Sequence, residues 1–168
     1  MIARLLTVLA FLCLASAAQA QNVWSVSGPA CVPAESATGR YKSGVPFVRH
    51  AAGETGLIVF NCQIDRFNSG TTDWNLRMTY RDTTGSDAAA YVRARLYRMP
   101  IGTATPSLIA QVNSNSSAST AVNTIASPQF NHTFDFEANT YWVRVELVRA
   151  ATNQSITFYS VVIDGTSV

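Results

Sequence analysis

Along much of this chain apolar and polar residues take turns. Between residues 74 and 81, Leu76, Met78 and Tyr80 alternate with Asn75, Arg77, Thr79 and Arg81. Between 91 and 98, Val92, Ala94 and Leu96 alternate with Arg93, Arg95 and Tyr97. Between 140 and 149, Tyr141, Val143, Val145 and Leu147 alternate with Trp142, Arg144 and Glu146. A period of two sends successive side chains to opposite faces, so each stretch predicts a strand with one buried and one wet face. Residues 23–27, 56–64 and 154–163 predict strands that are covered on both faces or lie at an edge. Shorter strands are predicted at 46–50, 108–113 and 129–136. No stretch of useful length carries the 3.6-residue pattern of an amphipathic helix.

Turn residues separate these runs at short intervals: Gly28-Pro29, Gly44, Gly53, Asn68-Ser69-Gly70, Thr84-Gly85, Pro100 and Asp164-Gly165. Residues 114–120 form a polar loop, after which strand-like sequence resumes. The turn at Thr84-Gly85 predicts a hairpin joining strands 74–81 and 91–98. Short strands at this spacing predict an all-β domain: a two-layer antiparallel β-sandwich, jelly-roll-like or immunoglobulin-like. An up-and-down barrel is the second choice.

The N-terminus changes what the composition means. Arg4, an apolar run over residues 5–15 and the ending Ala18-Gln19-Ala20 are the three parts of a cleavable signal peptide over residues 1–20. The run is too short to span a bilayer, and no second long apolar stretch follows, so no membrane span is expected after cleavage. The expected mature chain is one domain, residues 21–168, secreted or periplasmic. Cleavage removes Arg4, leaving 11 of the 12 basic residues against 10 acidic ones. A net charge near +1 gives little pull toward nucleic acid. Cleavage also removes Cys13, leaving Cys31 and Cys62, and an even count in an exported chain is most simply one disulfide. Their spacing is too wide for a redox or zinc motif.

Cys31, the run Gly56-Leu57-Ile58-Val59-Phe60-Asn61-Cys62, then Thr79-Tyr80-Arg81-Asp82 and Phe130-Asn131-His132-Thr133-Phe134-Asp135-Phe136 form a recognisable series. In these the chain resembles a diffuse group of short exported bacterial proteins of unknown function. The resemblance covers nearly all of residues 21–168 and implies a single exported domain. It implies no activity.

The chemistry-bearing residues are sparse. Nucleophilic hydrolysis needs a nucleophile, a base and a group that orients the base. Only His50 and His132 offer a base, and no Gly-x-Ser-x-Gly turn is present. Asp135 and Glu137, two apart at a predicted strand end, would share a face as a glycosidase pair does, or simply be exposed acids beside a turn. The loop Asp82-Thr83-Thr84-Gly85-Ser86-Asp87 offers Asp82 and Asp87 as weak calcium candidates, although Asp, Gly and Ser are favoured in any hairpin loop. No cofactor is expected.

The most informative feature is a polar face. In the expected hairpin Arg77, Arg93, Arg95 and Tyr97 project together, and Trp142 and Arg144 join them if their strand lies in the same sheet. Aromatics beside planar donors suit a sugar or an anionic polymer. A solvated face of cross-strand pairs would look the same. The leading expectation is a non-catalytic exported domain that binds carbohydrate or a cell-surface protein. The alternatives are an extracytoplasmic hydrolase, and a structural or assembly subunit that pairs through an edge strand.

Overall fold

The computed structural model describes residues 23–67, 73–117 and 119–165. The predicted signal segment, residues 1–20, and the predicted turn Asn68-Ser69-Gly70 lie outside the described residues. Among the described residues twelve strands follow in chain order: β1 (Val23–Ser27), β2 (Val32–Pro33), β3 (Tyr41–Ser43), β4 (Val48–His50), β5 (Gly56–Gln63), β6 (Asp73–Asp82), β7 (Tyr91–Pro100), β8 (Ser107–Asn113), β9 (Val122–Ala126), β10 (Phe130–Asn131), β11 (Asn139–Arg149) and β12 (Ile156–Gly165). They form two antiparallel sheets, as the alternation requires. One sheet runs β2-β5-β11-β7-β8. In the other, β12 lies between β6 and the pair β1 and β4; β3 continues beyond β4, and β9 and β10 flank β6. The fold is a two-layer β-sandwich, and its two separate sheets exclude the single closed barrel.

The core lies between the layers. Leu76, Met78 and Tyr80 of β6 and Phe158, Val161 and Ile163 of β12 face Ile58 and Phe60 of β5, Val92, Ala94 and Leu96 of β7, and Val143, Val145 and Leu147 of β11. The disulfide Cys31–Cys62 is buried at its margin, fastening the segment before β2 to β5.

Two sequence expectations need correction. First, β6 and β7 do not pair as a hairpin; they lie in opposite sheets. Period-two alternation demands only that one face be covered, and these strands cover each other across the core rather than side by side. Second, the strand expected at 129–136 shrinks to Phe130–Asn131. The Trp74 Nε1–H donates to the His132 carbonyl at 2.9 Å, and the Tyr141 hydroxyl accepts the Asp135 amide at 3.0 Å. These side chains take backbone groups that a longer strand would offer to a ladder. Residues 154–163 are covered on both faces as expected: none of them is exposed, and even Thr157, on the opposite face from Ile156 and Phe158, is buried. Register shifts between Phe158 and Ser160, so Ile156 and Phe158 point inward before the bulge and Val161 and Ile163 after it. β2 and β3, of two and three residues, are too short to display a period, and in β9 Val122 and Ile125 lie three apart, so its apolar residues do not alternate.

Candidate functional site

The outer face of the β2-β5-β11-β7-β8 sheet collects the polar side of two central strands. Register across it is continuous. One rung aligns Gln63, Trp142 and Tyr97; the next aligns Asn61, Arg144 and Arg95; a third aligns Val59, Glu146 and Arg93. Five of the six predicted face residues, Arg93, Arg95, Tyr97, Trp142 and Arg144, are therefore brought together. Arg77 is not. It sits on β6 in the opposite sheet, between Val162 and Ala126, and pairs with Asp164 at 3.1 Å. The mispredicted hairpin is the reason.

The face divides into two parts. At one end the Tyr97 and Trp142 rings stack, with centroids 5.5 Å apart and planes 19° from parallel. Leu96 pairs with Ala110 and Tyr97 with Leu108, so Ile109 is an extra residue on β8 beside this rung. Trp142 borders an open depression of about 520 Å³ lined also by Val32, Asn61, Gln63, Met99 and Thr140. Apolar surface with a few amide and hydroxyl groups is the composition of a small-molecule or sugar subsite. The sequence reading missed Asn61 and Gln63, although both occupy outward positions of the 56–64 strand.

At the other end three arginines converge on Glu146, which is 3 % exposed. Arg93 Nε donates to Oε2 at 2.8 Å, and the Arg93 guanidinium also lies over the Tyr91 ring, 4.8 Å from its centroid. Arg95 donates to Oε1 at 3.3 Å. Arg144 Nε approaches Oε1 to 3.0 Å as an ion contact without hydrogen-bond alignment. Glu146 looked like an ordinary member of a wet face; its burial beneath three long side chains has no local sequence signal.

The other candidates fall into structural roles. Asp82 is fully buried: Oδ1 accepts from the Thr84 amide at 3.0 Å and its hydroxyl at 2.6 Å, and Oδ2 accepts from the Ser114 hydroxyl at 2.6 Å. Asp87 accepts from the Ala89 amide at 2.9 Å. These two carboxylates shape the 83–90 loop, and among the described residues no cluster of three or more His, Cys, Asp or Glu could hold a metal ion. Asp135 turns its Oδ1 to the Glu137 and Ala138 amides, at 3.0 and 3.1 Å, and exposed Glu137 pairs with Arg66. The two acids belong to a turn, not to a strand face. β12, a candidate assembly edge, is flanked on both sides, whereas β1 has β12 on one side only among the described residues.

Both histidines are packed rather than wet. His132 lies edge-on to Phe134 and Tyr141. His50 donates from Nε2 to the Gly56 carbonyl at 2.9 Å and lines a basic pocket of about 350 Å³ with Lys42, Arg49 and Arg149. Burial holds both rings below the ordinary histidine value of 6.5, aided by Arg149 and Arg40 for His50 and by Arg98 for His132. Below pH 6.5 the unfolded chain takes up protons that the folded chain refuses. Stability is therefore full above that value and falls as the pH drops through it toward the folded values. Melting temperatures from pH 8 to pH 5 should decline across this window, with a shallower decline in His50→Gln; equal slopes would contradict the assignment for His50.

No protein-family model and no characterised protein sequence matches the chain. Among solved structures it is similar to the CBM36-1 domain of a multidomain xylanase from the hindgut metagenome of Trinervitermes trinervoides, at 11% identity over 88% of this chain and 100% of that one, TM-score 0.48. It is similar to a cyclase from Fischerella sp. TAU, at 12% identity over 88% of this chain and 77% of that one, TM-score 0.46. It is also similar to a family two carbohydrate esterase from Cellvibrio japonicus, at 14% identity over 87% of this chain but 34% of that one, TM-score 0.41. Likeness of this degree carries no argument about function.

Proposed function

We propose that this chain is an exported domain, secreted or periplasmic, that binds a glycan on the outer face of the β2-β5-β11-β7-β8 sheet and acts by binding rather than by catalysis. The stacked Tyr97–Trp142 pair carries the proposal. A pyranose ring has an apolar C–H face that packs against an aromatic ring, and hydroxyls around its rim that need partners. Trp142 supplies the first, and Asn61, Gln63 and Thr140 around the same depression supply the second. A platform on central strands is held by ladder bonds on both sides, so little ordering is needed on binding. The buried disulfide fits an oxidising compartment, where such a pair persists.

Trp142→Ala should weaken retention on an immobilised glycan by about fivefold or more, the scale of losing one aromatic stacking partner at roughly 1–3 kcal/mol. Tyr97→Ala should act in the same direction. Affinity electrophoresis through gels containing soluble polysaccharides reads this directly. Unchanged migration of Trp142→Ala, or no retardation of the parent in any gel, would contradict the proposal.

A further inference from the structure

We infer that the glycan bound by this face is acidic, a polysaccharide bearing uronate carboxylates, and that the Arg95–Arg144 rung recognises the acid. This rests on the glycan-binding reading above and specifies its ligand.

The charges on the face do not balance. One carboxylate, Glu146, faces three guanidinium groups, and its two oxygens serve them unequally. Arg93 takes Oε2 with both Nε and a terminal nitrogen. Arg95 and Arg144 share Oε1, one through a single terminal nitrogen and the other through a poorly aligned Nε. These two arginines are direct cross-strand partners. Like charges in that position repel, and a shared oxygen offsets only part of the repulsion. The rung keeps an excess of positive charge, with the Arg144 side chain 42% exposed.

Position makes this excess useful. The Arg95–Arg144 rung is next to the Tyr97–Trp142 rung on the same face, a step of about 7 Å along the strands. That is the order of one sugar unit. A ring stacked on Trp142 would set a carboxylate of the adjoining unit over the guanidinium pair. Guanidinium offers two parallel N–H donors that match the two oxygens of a carboxylate. A neutral glycan would leave those donors to water, and an amino glycan would be repelled. A single-stranded nucleic acid also has rings and negative charge, but 12 basic against 10 acidic residues leave the chain little net charge to attract a phosphate backbone.

The test is affinity electrophoresis with polygalacturonate, with neutral galactan, and with a fluorescent single-stranded oligonucleotide as competitor. The inference expects polygalacturonate to bind at least tenfold more tightly than galactan at low salt, with the preference shrinking at high salt. Arg144→Gln should lower polygalacturonate affinity about tenfold. Arg77→Gln, on the opposite sheet, should not change it. Equal binding of both polysaccharides, or an unaffected Arg144→Gln variant, overturns the inference while the glycan reading stands. Binding to neither polysaccharide defeats that reading as well. An oligonucleotide that displaces polygalacturonate at lower concentration than the free polysaccharide does overturns the inference in favour of nucleic acid.

Discussion

Replacing Glu146 by alanine is expected to destabilise the domain by about 2–3 kcal/mol, below the cost of breaking a fully buried ion pair because the three arginines left behind are partly exposed. The carboxylate is almost fully buried, and three guanidinium groups are arranged around it. Without it, Arg95 and Arg144 face each other across β7 and β11, and Arg93 loses its main acceptor. Neither strand can move away, because their inner residues Ala94, Leu96, Val143 and Val145 are locked in the core. For a domain of this size the loss corresponds to a melting point lower by about 10 °C. Glu146→Gln keeps the shape and some hydrogen bonding but not the charge, and should fall between parent and alanine variant. Urea denaturation of the three proteins measures the series. A change below about 1 kcal/mol for Glu146→Ala would mean that the arginines simply turn to water.

Loss of the Cys31–Cys62 bond is the second large effect. The cysteines are 31 residues apart, and closing a loop of that length lowers the entropy of the unfolded chain enough to stabilise the fold by roughly 3–4 kcal/mol. The bond also secures a weak part of the sandwich. β2 has two residues, paired with Asn61 and Phe60 of β5, so its own ladder contributes little. Since Val32 and Asn61 border the depression beside Trp142, loosening β2 should also reduce glycan retention. The Cys31→Ser/Cys62→Ser double variant should unfold at a clearly lower urea concentration than the parent. Coincident transitions would show that the loop constraint is compensated elsewhere.

Much of the fold was legible because three strands are wet on one side and dry on the other. Leu76, Met78 and Tyr80, Val92, Ala94 and Leu96, and Tyr141 to Leu147 all point where their alternation says. Alternation does not say which strand lies beside which. Alternation alone places Arg77 with Arg93 and Arg95, whereas it stands in the opposite sheet. The bulge in β12 hid its period, because one extra residue exchanges the two faces partway along. Tyr97, Trp142, Arg93, Arg95 and Arg144 were legible as a site because neighbouring strands share a polar face. Asn61 and Gln63 were not, since their strand also carries Leu57 and Val59 outward and reads as apolar throughout.

The most direct test of glycan binding at this face uses the three tryptophans as reporters. Trp24 and Trp74 are buried in the other layer, whereas Trp142 stands on the outer face beside the depression. Nitrogen–proton correlation spectra recorded during titration with oligogalacturonates and, separately, with neutral galacto-oligosaccharides resolve the three indole signals and the side-chain amides. With binding at this face, the Trp142 indole and the Asn61 and Gln63 amides should move progressively while the Trp24 and Trp74 indoles stay fixed. Shifts confined to residues 132–138, or a Trp142 signal that moves with neither sugar at saturation, would contradict it.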